Sequence, residues 1–147
     1  MKVQIAFVLV LLSACTLERP LPEIGARSPR DIGDWEGNNI VDDAAVHSLG
    51  YVQTPEETIQ IGRGTCMDFA VLMMAMIHDE LGGCPELVAG TVGGKGLHAW
   101  VRYAGIDYES EDGCIASADY VEQCTLSYGW VMAEVSTLHR LDRIGAT

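Results

Sequence analysis

Basic residues are scarce in this chain. Lys and Arg total 9 against 21 Asp and Glu, a formal charge of -12 over 147 residues. A surface so acidic repels phosphate backbones, and no cluster of Lys or Arg offsets it, which argues against nucleic-acid binding. Long apolar runs are missing as well. The one near the N-terminus, residues 5–12, is too short to cross a bilayer as a mature helix. There is no Cys-x-x-Cys and no His-Glu-x-x-His, so the usual zinc spacings are absent. Residues 93–96 surround Lys95 with glycines but make neither a phosphate-cradling loop nor a dinucleotide fingerprint. The acidic stretch of Asp107, Glu109, Glu111 and Asp112 lacks the spaced oxygen ligands of a dedicated calcium loop. No metal and no cofactor are expected. No internal repeat or low-complexity tract occurs. What is present is 48% hydrophobic residues, enough for one packed core and too many for a disordered chain.

The N-terminus reads as an export signal. Lys2 precedes the apolar run of residues 5–12, and small residues follow it up to Cys15. Residues 12–15, Leu-Ser-Ala-Cys, resemble the lipobox of bacterial lipoproteins. That resemblance implies removal of residues 1–14, lipidation of Cys15 and attachment to a membrane through the lipid rather than through a spanning helix. Thr16, standing where an Asp would signal inner-membrane retention, favours the periplasmic side of the outer membrane. Residues 15–34 carry three of the five prolines and no apolar period, and read as a tether. Residues 35–147 remain for the domain.

Within the domain, residues 40–49 suggest a short helix around Ile40, Val41, Ala44, Ala45 and Val46. Thr54, Pro55 and Glu57 form a helix-start signature for a segment running to Ile61. Thr65 and Asp68 repeat the capping pattern and open a helix that is apolar all round from Phe69 to Ile77, as a helix buried in the middle of a domain would be. Gly82 and Gly83 stop it. The period then changes to strands at residues 86–92, 97–103 and 106–110, the last two joined by a tight Ala104-Gly105 turn. Residues 111–127 look like a loop, and 128–141 like a long strand or a bent pair. The sum is an α+β arrangement, a central buried helix packed on an antiparallel β-sheet.

Cys66 falls at the start of the buried helix, where unpaired N–H groups and partial positive charge favour a thiolate nucleophile, and its own N–H is placed to meet an oxyanion. His98 lies on the second strand and shares a face with Trp100 and Arg102. A two-residue turn puts Asp107 opposite Arg102, Glu109 opposite Trp100 and Glu111 opposite His98. Any of the three acids is then placed to hold one imidazole nitrogen while the other addresses the sulfur. His78 takes an ordinary place at a helix end, and His47 and His139 lie outside any cluster.

These segments, GRGTCMDFAVLMMAMIHDELG and HAWVRYAGIDYES, resemble the transglutaminase-like cysteine peptidase superfamily, a rearranged relative of papain-type enzymes. The Thr54-Pro55-Glu56 lead-in resembles its bacterial members as well. The resemblance covers about residues 50–112. It implies a papain/transglutaminase-like core, Cys66 as nucleophile, His98 as general base and an acid opposite the Trp of the His-Ala-Trp strand, which selects Glu109. The family usually has Asp followed by Pro there, whereas this chain reads Glu109-Ser110; a shifted register would promote Asp107 or Glu111. A further oxyanion donor is expected upstream of Cys66, at Gln53, Tyr51 or Gln60, with Gln53 preferred.

The function so implied is a thiol hydrolase, a peptidase or amidase, cleaving a peptide, glutamine or cell-wall amide through a thioester at the cell envelope. Acyl transfer to an amine is the variant, and hydrolysis is preferred because so short a chain leaves little to hold two protein substrates. The competing reading is a peptide- or partner-binding lipoprotein that keeps the groove without turnover. Export makes disulfides admissible; Cys114 and Cys124, flanking a short polar loop, are the candidate pair, with Cys84 left over.

Overall fold

A computed structural model describes residues 20–48, 50–93, 96–117 and 119–145, and in the last helix the side chains up to Thr137. The expected signal segment, Cys15 and residues Gly94 and Lys95 lie outside the described residues. Among those described, no helix is long and apolar enough to cross a membrane.

The centre of the molecule is α3, Cys66–Met76, continued by one π-helical stretch, Ile77–Leu81. Phe69 through Ile77 are all buried, as a helix without a polar stripe must be. Against it lies a four-stranded antiparallel sheet in the order β5-β4-β3-β6, made of β3 (Glu86–Val92), β4 (Leu97–Tyr103), β5 (Ile106–Tyr108) and β6 (Tyr120–Ser127). Leu87, Val88, Ala99, Trp100 and Val101 give the sheet its buried positions. The Ala104-Gly105 turn sets the register of Arg102 opposite Asp107 and Tyr103 opposite Ile106. Both turn residues have positive φ, the geometry that matches the twist of a two-residue hairpin. The ladder closes at Val101 and Tyr108, so Glu109 and Glu111 leave the strand instead of pairing with Trp100 and His98.

Two further helices flank the entrance to α3. Helix α2, Pro55–Ile61, starts on the expected Thr54 capping box, with Thr54 and Glu57 satisfying each other's backbone N–H. Helix α1, Pro29–Asn39, starts on the same device, Ser28 with Asp31. It corrects the expected tether, because residues 29–34 are folded. Even the preceding segment is held, since Glu80 accepts the N–H groups of Ile24 at 2.8 Å and Ala26 at 2.5 Å.

Three other expectations change. Residues 40–48, within the expected helix, form none. Val41–Asp42 is a short strand, β1, paired in parallel with β2, Arg63–Gly64. Residues 120–127, read as loop, form β6. Residues 128–141, read as strand, lie in α4, Tyr128–Gly145. Val131 and Val135, four apart, are the buried residues among its described side chains, and packing of that stripe outweighs the strand preference of β-branched side chains.

Candidate active site

Helix α3 delivers Cys66 at its first turn and β4 delivers His98. Glu109 stands just past the end of β5. His98 Nε2 lies 2.6 Å from Glu109 Oε2. The His98 side chain keeps one fifth of its surface exposed, and its ring stacks beside Trp100, centroids 6.4 Å apart. Hydrogen bonding to Cys66 and then to Glu109 pushes the His98 pKa up to about 10, against the opposing effect of burial. Both partners favour the charged form of the ring.

Glu109 is fixed more firmly than His98. Its Oε2 also accepts the Tyr120 hydroxyl at 2.7 Å, and its Oε1 accepts the N–H of Ser110 at 2.9 Å. Burial works to raise its pKa, but the bonds from His98 and Tyr120 win and hold it below the ordinary carboxylate range. Asp107 is engaged elsewhere: Arg102 meets both of its oxygens at 2.6 and 3.0 Å, and Trp100 Nε1 donates to it at 3.1 Å. Glu111 stays close enough that its carboxylate, that of Glu109 and the His98 ring present atoms within 4.8 Å of one another. Those are the described side chains with the donors to hold a cation, and two of them are the histidine–acid pair itself. Burial, then the charges of Asp42 and Glu109, raise the Glu111 pKa.

Upstream of Cys66, Gln53 is buried and its side-chain oxygen has no partner. Its backbone N–H donates to Asp68 Oδ1 at 2.8 Å, which ties residue 53 to the first turn of α3. Asp68 is fully buried and does far more than cap. Its Oδ2 accepts the Thr65 N–H at 2.7 Å, the Thr65 hydroxyl at 2.9 Å and His47 Nε2 at 2.6 Å. His47, expected to stand apart, therefore belongs to the network around the helix tip. The cue was missed because the pair is 21 residues apart in sequence and no local period connects them. Tyr51 instead donates its hydroxyl to Glu57, and Gln60 lies on α2. Cys114 and Cys124 do not form the expected bridge: both are exposed free thiols, as is Cys84. His78 bonds the Gly83 carbonyl through Nδ1 at 2.9 Å and stacks on Tyr128.

One feature near the site is costly. Glu36, on the inward stripe of α1, is wholly buried, and neither carboxyl oxygen has a partner. Burial, then the charge of Glu109, raises its pKa well above the usual value. A carboxyl with a raised folded pKa loses stability as pH rises from about its unfolded value towards the folded one, because folding must then take up a proton. Glu36→Gln removes that uptake. Its stability advantage over the parent is expected to widen by about 1.4 kcal/mol per pH unit above ~4.5 and to level off at the folded pKa. Denaturant melts at several pH values measure it, and a constant difference across that range would show that Glu36 does not titrate on folding.

A buried helix carrying a cysteine at its tip, packed on an antiparallel sheet that carries the histidine, is the transglutaminase-like fold. The comparisons agree. The model of the family described as a transglutaminase-like domain matches residues 26–103, just over half of the chain, and the protein belongs to that family. Among solved structures, EGTA-treated LapG of Legionella pneumophila is similar, with a TM-score of 0.50 and 18% sequence identity over 67% of this chain. The match covers 61% of LapG, so the chain spans about three fifths of that protein. No curated protein matches the chain.

Proposed function

We propose that this protein is a thiol hydrolase of amide bonds at the cell envelope, with Cys66 as nucleophile, His98 as general base and acid, and Glu109 as the group that orients His98. The observation that carries the reading is the Glu109 carboxylate 2.6 Å from His98 Nε2, on a ring whose pKa is raised first by hydrogen bonding toward Cys66. In the reaction the sulfur attacks the amide carbon, the carbonyl electrons move onto oxygen, and the N–H of Cys66 with the Gln53 amide receives that oxyanion. His98 gives its proton to the departing amine. Water, deprotonated by the same ring, then attacks the thioester and releases the acid. The lipid on Cys15 would hold the domain at the membrane, on the periplasmic side of the outer membrane, with a peptide or protein amide as its substrate.

The test uses p-nitrophenyl acetate, whose attack by a thiolate yields an S-acetyl cysteine and p-nitrophenolate. Cys66 is expected to acylate at least about a hundredfold faster than the exposed Cys84, Cys114 and Cys124 of the same molecule, as read by peptide mass spectrometry. Cys66→Ala should remove the fast phase and leave the slow one. Acylation of Cys66 at the rate of the exposed thiols would overturn the reading.

A further inference from the structure

The His47–Asp68 pair has no part in the proposed reaction steps, yet it sits on the same helix tip as the nucleophile. Both ring nitrogens of His47 face acceptors: Nε2 meets Asp68 Oδ2 at 2.6 Å and Nδ1 meets the Ser48 carbonyl at 3.1 Å. A ring that satisfies both must carry a proton on each nitrogen, so the geometry selects the imidazolium form. The cation is largely covered, its side chain retaining 14% of its surface, while Asp68 retains none. Asp68 spends its other oxygen on the backbone N–H of Gln53. One carboxylate therefore joins His47, the Gln53 segment and Thr65, the residue directly before Cys66.

We infer that His47 is a positioning residue, whose positive charge holds Asp68 in place and through it fixes the buried Gln53 amide as an oxyanion donor beside Cys66. The inference rests on the hydrolase reading for its catalytic consequence. A second fact supports it: Gln53 is almost completely buried with its side-chain oxygen unpaired. An unpaired side-chain oxygen there is uncommon, and a half-turn of the amide exchanges it for the NH2 group that can donate to an oxyanion. The charged groups facing His47 favour the cation. Burial opposes it, but the bonds to Asp68 and the Ser48 carbonyl, then the charges of Asp68 and Glu57, raise its pKa. Tyr51 packs edge-on against the ring, centroids 5.1 Å apart, and its hydroxyl bonds Glu57. As pH rises through the His47 pKa, the clamp loses its charge and Gln53 loosens.

Two reagents separate this role from general damage. Iodoacetamide alkylates a thiolate by direct displacement and forms no oxyanion, whereas p-nitrophenyl acetate passes through a tetrahedral oxyanion. In His47→Ala, acylation of Cys66 should fall tenfold or more, as misplacement of a single donor does, while alkylation changes less than about twofold. His47→Gln, which can still donate to Asp68 but bears no charge, should restore part of the rate and remove the inflection that His47 adds to the pH profile of acylation. An equal fall in both reactions, or in neither, overturns the inference. Should His47→Ala fail to fold, the parent protein decides by NMR: the Gln53 amide resonance must follow the titration of the His47 ring, at a pKa above 6.5. A Gln53 amide indifferent to that titration overturns the inference even if Cys66 proves reactive. A parent Cys66 that neither reagent distinguishes from the exposed thiols sinks the hydrolase reading, and the amide titration still decides the clamp.

Discussion

Glu109→Gln should lower the rate of Cys66 acylation by about a thousandfold, with Asp107→Asn and Glu111→Gln each costing tenfold or less. Three acids follow one another at alternate positions, and only their surroundings tell them apart. Glu109 receives donors on both oxygens: His98 and Tyr120 on one, the Ser110 N–H on the other. An amide in its place must point its NH2 at a donor whichever way it turns, so His98 loses either its orientation or its second proton. Asp107 already serves Arg102 and Trp100, and its loss should loosen the outer end of the hairpin without moving His98. Glu111 lies close but lends His98 only a favourable charge. The comparison is the acylation rate of each variant, with circular dichroism to show that each is folded. If Glu111→Gln matched the loss in Glu109→Gln, the orienting acid would have been assigned to the wrong side chain.

What the sequence made legible follows the range of the interactions involved. The α3 start was readable because its signals are local: Thr65 and Asp68 are three apart, and the apolar run follows at once. The β4–β5 hairpin was readable because Ala104-Gly105 sets its register within two residues, which placed Arg102 against Asp107. The ladder's end at Tyr108 was not, since no residue nearby announces it; Glu109 turns away to bond Cys114 and Gly113 through its backbone. Helix α1 was missed although Ser28, Pro29 and Asp31 repeat the pattern of Thr54, Pro55 and Glu57, because Pro20, Pro22 and Pro29 with no apolar period suggested a tether. Helix α4 was misread because Val131, Val135 and Thr137 favour strands locally, while burial of Val131 and Val135 against the core decides for a helix. The Asp68 hub was half legible. Its capping of Thr65 is a local matter, but its bonds to Gln53 and His47 span 15 and 21 residues.

Close packing against the 111–113 backbone makes α1 part of the site rather than an approach to it. Gly33 is buried, and a Cβ there would fall inside the van der Waals radii of the Gly113 backbone nitrogen and Cα. One turn on, a Cβ at Gly37 would stand 2.5 Å from the Glu111 carbonyl. Both obstacles are main chain, which no rotamer change can move aside. Gly113 itself has φ +68°, and a Cβ there would stand 2.6 Å from the Arg30 carbonyl oxygen. Gly33→Ala must therefore push α1 and the 111–113 turn apart. That turn is anchored to Glu109, whose carbonyl accepts the Gly113 N–H at 2.8 Å and whose N–H donates to the Cys114 carbonyl at 2.7 Å. Displacement of the turn carries the carboxylate away from His98. The expected result is a loss of about 3 kcal/mol, or a melting temperature lower by about 10 °C, together with a fall in acylation larger than the fraction unfolded explains. Gly129→Ala supplies the control. No neighbouring atom lies within 4 Å of an added Cβ there, and alanine in a helix should leave stability unchanged or slightly raised. A Gly33→Ala protein that melted normally would mean the turn can yield. Full acylation in that protein would also detach α1 from the positioning of Glu109.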